Sequence, residues 1–333
     1  MNQLSLLGEI DASVSIPVPP APVNANEDSK QSLDFDQVVG QELAVSLINS
    51  AIASNRIAPA YLFAGIDGIG KTLAGRIFVS KLLGSGNIAN HPDVLWVEPT
   101  YLHQGALFTL SQLETLGITR TSKPSIRVDQ VREIAQFLSQ SALAGTRKIV
   151  VVSDADQMNL AAANALLKTL EEPGIRHCII LLSSQPLLPT IISRCSVVPF
   201  RPLCPGDLKL VLENLGKIDV LSQPTVLAMA AGSPGVAIAY DQIYRSLPPK
   251  LLELRSTSAG SSILEALQVT KEIKMLDIDQ QRWLLDFLQY QWWTQYRDGE
   301  LVAKIEAAKS ALNKSVSPRL VWDVLLMPVN NYN

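Results

Sequence analysis

Beyond about residue 33 the chain alternates short apolar runs with stretches of helical period. AYLFAG (60–65) is a short apolar run entering a glycine-rich turn, and KTLAGRIFVSKLLG follows with helical spacing. DVLWVEP (93–99) predicts a strand, and RVDQVREIAQFLSQSA (127–142) an amphipathic helix. RKIVVVSDAD (147–156) predicts a strand whose near-continuous apolar body suits burial on both faces. NLAAANALLKTLEEP (159–173) predicts a helix stopped by Pro173, and HCIILLSS (177–184) one more buried strand. Strands alternating with helices imply a parallel sheet with helices on both faces.

After about residue 205 no strand pattern remains. PGDLKLVLENLG and PTVLAMAAGSPGVAIAY predict short helices broken at glycines. From about 247, ILEALQVTKEIKML, DQQRWLLDFLQYQWWTQYRDG and LVAKIEAAKSALNK predict longer ones. The fold class expected is therefore α/β plus all-α: an α/β domain over 33–205, a small helical domain over 206–246 and a helical bundle over 247–333. Residues 1–32, with SIPVPPAPVNANEDSKQS and no sustained period, cannot bury enough apolar surface to offset ordering entropy. A flexible tail is expected there, and its opening MNQLSLLGEI suits a short peptide that docks on a partner.

Composition narrows this picture only modestly. A chain of 333 residues, 47% apolar and 18% charged, suits two or three ordinary soluble domains. A net charge of −3 gives no overall basic footprint, which argues against autonomous DNA binding but not against DNA contact inside an assembly. Three cysteines (Cys178, Cys195, Cys204), with no close pair, exclude a four-cysteine zinc site and predict buried free thiols in a reducing compartment. No apolar run reaches membrane-spanning length and the amino terminus lacks a secretory pattern, so a cytoplasmic protein without membrane contact is expected.

GIDGIGKT (65–72) carries the first chemistry. Gly65, Gly68 and Gly70 let backbone N–H groups close around phosphate oxygens at the start of a helix. Lys71 reaches the outer phosphates and the Thr72 hydroxyl suits Mg²⁺. A nucleotide site of this type needs an acidic residue at the end of a nearby buried strand, and Asp154 ends IVVVSD. The residue after it is Ala155, where hydrolysing enzymes of this type usually place a Glu that orients water. Asp156 substitutes only if the turn re-aims it, because adjacent strand residues face opposite ways. Asp154 and Asp156 also suit a plain turn ahead of the next helix. SRC at 193–195 leaves two readings open: a solvated surface charge, or Arg194 presented to a neighbouring subunit's γ-phosphate. The aromatic group Trp283, Tyr290, Trp292, Trp293 and Tyr296 suits either stacking on single-stranded nucleic acid or packing. Helical spacing of Trp283, Phe287 and Tyr290 favours packing.

Taken together, FDQVVGQELA (35–44), GIDGIGKT, HPD (91–93), IRVDQVREI (126–134), DADQMNLAAANALLKTLEEP (154–173), LLPTIISRC (187–195) and AGSPGVAIA (231–239) resemble the AAA+ clamp-loader subunits of bacterial DNA polymerase III, most closely the delta prime type. The resemblance covers about 33–240 and continues more weakly in NKSVSPRLVWDVLL. It implies a P-loop nucleotide-binding domain, a helical lid and a collar that assembles with delta and gamma/tau type subunits into a pentameric ring, which places a sliding clamp on primer–template DNA. It further implies that Lys71 and Thr72 hold the phosphates and Mg²⁺ of ATP, with Asp154 on the metal, Val38 and Val39 against the adenine, and Ser184 near the position that senses the γ-phosphate. Arg194 would be an arginine finger acting in trans.

Two departures from that pattern matter. Ala155 replaces the catalytic Glu, and Gly235 stands where active loaders usually carry a phosphate-sensing lid Arg. LLGSGNIAN has no cysteine where the family often holds zinc, so no zinc is expected and His91 reads as structural. The resulting expectation is a subunit that binds ATP, hydrolyses it weakly or not at all, and activates its neighbour, with no polymerase site of its own. The alternatives are an active AAA+ motor, either a gamma/tau-like loader or a helicase, and, further off, a P-loop kinase.

Overall fold

The computed structural model describes residues 33–326 apart from 85, 87, 89, 119–123, 173, 175, 255–262 and 315. The tail expected over 1–32, its opening peptide and the Pro173 stop lie outside the described residues. The elements run α1 (Glu42–Ala53), β1 (Ala60–Ala64), α2 (Lys71–Leu83), β2 (Val94–Val97), β3 (Tyr101–His103), β4 (Ala106–Phe108), α3 (Leu110–Leu116), α4 (Val128–Ser139), β5 (Lys148–Val152), α5 (Leu160–Glu171), β6 (His177–Ser183), α6 (Pro189–Ile192) and β7 (Ser196–Pro199). Helices follow: α7 (Pro205–Asn214), α8 (Pro224–Met229), α9 (Pro234–Ser246), α10 (Pro249–Leu252), α11 (Ile263–Ile273), α12 (Ile278–Tyr296), α13 (Gly299–Asn313) and α14 (Pro318–Leu326). None of the described helices is long and apolar enough to cross a membrane.

The α/β plus all-α class is what the structure has. Five strands form one sheet in the order β2-β5-β6-β1-β7. Strand β5 runs parallel to both neighbours, with Val94 opposite Ile149 and Lys148 opposite His177. All of β5, and all of β6 after His177, is buried, as their unbroken apolar runs require. The apolar pattern did not anticipate helices α1, α3 and α6, the β3–β4 hairpin pairing Tyr101 with Phe108, or the short strand β7. Strands β3, β4 and β7 are short and partly exposed, so none carries enough buried positions to show a period.

Two compact units emerge from the contacts. The first comprises Ile48–Leu62 and Thr72–Val197 with the described residues 33–37. Here α4 packs on α5 through residues at helical spacing, Val131, Ile134 and Leu138 on one and Ala162, Leu166 and Leu170 on the other. Tyr61 meets Phe78 edge to face at 5.1 Å. Lys148 is buried, with its ammonium 4.0 Å from the centre of the Phe137 ring.

The second unit comprises Val38–Leu47, Phe63–Lys71 and the described residues from Val198 to Leu326. Its helical core includes Trp283, Leu284, Phe287, Leu288, Ile305 and Trp322. The Trp283 and Phe287 rings stack at 5.2 Å, and the buried Trp322 indole donates to Gln281 Oε1 at 3.0 Å. Packing therefore accounts for Trp283 and Trp292, while Tyr290, Trp293 and Tyr296 are exposed. Of the three thiols only Cys178 is fully buried. Cys204 is exposed and caps α7, its sulfur accepting from Asp207 N, so the buried-thiol expectation fails there.

Asp93, just ahead of β2, is the most heavily committed carboxylate of the first unit. It is fully buried and accepts backbone N–H bonds from Leu143, Ala144 and Gly145 at 2.7, 2.8 and 2.6 Å. His91 accepts the N–H of Asp93, in keeping with a structural histidine. Burial alone would raise the Asp93 pKa, but the three donors and Lys148 outweigh it and hold the group below its ordinary value of 3.8. A depressed folded-state value means that this stabilisation is complete above the unfolded value and fades as pH falls through the folded one. Asp93→Ala is expected to cost about 3 kcal/mol at neutral pH. Urea midpoints should show that deficit at pH 7 and a shrinking difference from the parent chain below pH 3.8.

Candidate functional site

Strand β1 delivers the chain into the glycine loop, and each glycine there has its own reason. A Cβ at Gly65 would lie 2.5 Å from the Phe200 carbonyl oxygen, because Phe200 N donates to Ala64 O beside it. Gly68 and Gly70 have φ of +66° and +101°, a region that favours glycine. A Cβ at Gly70 would meet nothing within 4 Å, so conformation alone requires that glycine. Lys71, the first residue of α2, is 7% exposed and its Nζ donates to the carbonyls of Gly65 and Ile66 at 2.6 and 2.7 Å. Asp67 Oδ1 stands 3.9 Å from the same ammonium. Thr72 follows Lys71 in the first turn of α2. A glycine loop ending at a helix start and closed by a lysine is the residue set that takes phosphates, and in this structure the lysine ammonium is bonded to the loop's own carbonyls. Val38 is buried and Val39 half-buried, in the turn that precedes α1.

In the first unit Asp154 follows the end of β5 and adopts a left-handed conformation, φ +47°, that starts a short 3-10 turn over Ala155–Gln157. Ala155 is fully buried. Asp156 is not aimed away from the sheet edge for use elsewhere. Its Oδ1 accepts from Ser183 Oγ and from the backbone N–H of Ser184, both at 3.0 Å. Ser184 thus sits at the end of β6 with its backbone fixed by Asp156. Arg194, after α6, donates to Glu171 Oε1 at 2.7 Å and to the Thr190 carbonyl at 2.9 Å, and remains about a third exposed. Gly235 is the second residue of α9 and donates its N–H to Gly68 O at 3.0 Å. Among the described residues no group of three or more His, Cys, Asp or Glu side chains is arranged to hold a metal ion.

Sequence reasoning missed Glu98, Glu171 and Ser233. Glu98 follows β2, the strand beside β5, and burial first, then the charge of Asp154, pushes its pKa above the ordinary 4.5. Two carboxylates at adjacent strand ends are a signal only once the strand order is known. Because the folded-state value is raised, ionised Glu98 opposes folding, and the opposition grows as pH rises from 4.5 through the folded value. Glu98→Gln should therefore raise the urea midpoint at pH 7, with the gain vanishing below pH 4.5. An unchanged midpoint at both pH values would show that Glu98 is no burden.

Two family models match consecutive stretches. Residues 40–204 match DNA polymerase III, delta subunit, and residues 206–329 match the cyanobacterial DNA polymerase III delta prime C-terminal domain. Among curated relatives, DNA polymerase III subunit delta prime of Pseudomonas aeruginosa is 34% identical over 200 residues, covering 53% of this chain and 54% of that protein. The subunit of the same name from Bacillus subtilis is 32% identical over 189 residues, covering 51% and 50%. The chain spans about half the length of these relatives in the matched region. Among solved structures, a gamma subunit-related protein of Thermotoga maritima aligns over 85% of this chain and 97% of its own, at 20% identity and a TM-score of 0.47. The RuvB branch migration motor of the same organism aligns over 87% and 90% at 16% identity and a TM-score of 0.44.

Proposed function

Because the chain belongs to the DNA polymerase III delta prime family, we propose that it serves as the delta prime type subunit of a clamp loader. In that reading it binds ATP, turns it over weakly or not at all, and lends Arg194 to a neighbouring subunit's ATP. Residues 33–205 are the nucleotide-binding domain, 206–246 the lid and 247–333 the collar. The partners are delta and gamma/tau type subunits in a five-membered ring, with the sliding clamp and primer–template DNA engaged through the assembly.

The observation that carries weak turnover is the state of the turn after β5. The buried methyl of Ala155 offers no base, and Asp156 is bound to Ser183 and Ser184. Ala155 has no group that orients water, and Asp156 would do so only by giving up its bonds at the end of β6. Phosphate binding is supported by the glycine conformations and by the buried ammonium of Lys71. ATP with Mg²⁺ is the group such a site would take: Thr72 and Asp154 would hold the ion, which would supply charge neutralisation at the outer phosphates, while neither residue supplies a base.

The finger reading rests on Arg194 being about a third exposed on a short helix end, with its guanidinium oriented by Glu171 rather than buried. Arg194→Ala in a reconstituted loader should lower turnover at the neighbouring site by about a thousand-fold, while ATP binding by this chain is unchanged. Unaltered turnover would reduce Arg194 to a surface charge. The isolated chain should hydrolyse ATP at least about a hundred-fold more slowly than the assembly, and comparable rates would end the weak-turnover reading.

A further inference from the structure

We infer that the turn Ser233–Pro234–Gly235 is a latch on the phosphate loop, so that nucleotide gains the loop only when this turn lifts. The inference rests on the nucleotide-binding reading above. It concerns residues 65–71 and 231–236, which belong to one compact unit.

Four features make the contact a built one. Ser233 is fully buried, and its hydroxyl donates to the Asp67 carbonyl at 2.5 Å while accepting from Val236 N at 3.2 Å. The first N–H groups of a helix have no partner within it. At the start of α9 the Gly235 N–H finds its acceptor in the loop, at Gly68 O. The two glycines meet backbone to backbone: a Cβ on Gly68 would lie 2.7 Å from Gly235 Cα, and one on Gly235 would lie 2.6 Å from Gly68 Cα. The approach is fixed from behind, where Leu203 N donates to Gly232 O at 3.0 Å and Ala231 and Gly232 take φ of +47° and +83°. On the loop's other side Lys71 is already bonded to Gly65 O and Ile66 O.

Phosphates need the loop's N–H groups and the Lys71 ammonium turned towards them. A loop whose carbonyls at Asp67 and Gly68 are bonded to the lid turn is held in one conformation. Apparent affinity is then the intrinsic affinity scaled by the fraction of molecules with the turn lifted. Each hydrogen bond of this kind shifts that fraction by a factor of about five, so the two bonds together weaken binding by about five- to thirty-fold.

Gly235→Ala is the informative variant. Its backbone is not in the left-handed region and alanine suits a helix start, so the added methyl conflicts only with Gly68. Calorimetry with full-length protein and ATP·Mg²⁺ should show Gly235→Ala binding about five- to thirty-fold tighter than the parent chain. Ser233→Ala, which adds no atom, should tighten binding by about five-fold and decides the matter should Gly235→Ala fail to fold. In the parent chain, ATP should release hydrogen-exchange protection at the Gly235 amide. Equal or weaker binding by both variants, with binding abolished by Lys71→Ala, overturns the latch and leaves nucleotide binding intact. Absence of ATP binding in the parent chain and in both variants overturns latch and nucleotide reading together.

Discussion

Strands β5 and β6 are buried almost along their whole length, and the chain that enters and leaves them must still satisfy its backbone N–H groups away from water. Two carboxylates meet that demand. Asp93 gathers the three N–H groups of residues 143–145 before β5 begins, and Asp156 takes the Ser184 N–H where β6 ends. The chemical character of the sheet edge follows from this division of labour. An acidic residue spent on closing a turn is not free to position water, and a carboxylate such as Glu98, left with burial and a like-charged neighbour, becomes harder to ionise. Structure and chemistry compete for the same few acidic side chains.

This also bears on what the sequence can disclose. The runs KIVVV and HCIILLS announce themselves because burial on both faces leaves no polar position to interrupt them. The glycine loop announces itself because its conformations admit few residue types. By contrast β3 and β4 hold three residues each and face solvent at several positions, so no period forms. Contacts that close the candidate sites are quieter still. Ser233 meets Asp67 across 166 positions of sequence and Arg194 meets Glu171 across 23, and a serine or glutamate reveals nothing until its partner is known.

The aromatic residues of α12 illustrate the same limit within one helix. Trp283, Phe287 and Trp292 lie in the core, with the Trp292 indole satisfied by the Leu254 carbonyl. Tyr290, Trp293 and Tyr296 emerge on another side, where Arg297 covers the Trp293 ring. Spacing identified the Trp283–Phe287 stack but placed Tyr290 with it, because a step of seven residues drifts round the helix by about 20° and tolerates either outcome.

Gly235 joins the two halves of the functional argument. Relative to the loader pattern it lacks a charged side chain, which on its own reads as a lost sensor. In the structure it also lacks a Cβ at the one place where a Cβ would strike Gly68. An arginine there would supply a charge for a phosphate and at the same time hold the turn away from the loop, so a phosphate sensor and a closed glycine contact exclude one another at this position. In the proposed reading the missing arginine is therefore not a neutral deletion. It lets the start of α9 satisfy its N–H with the Gly68 carbonyl, and a loop engaged in that way would take ATP more weakly.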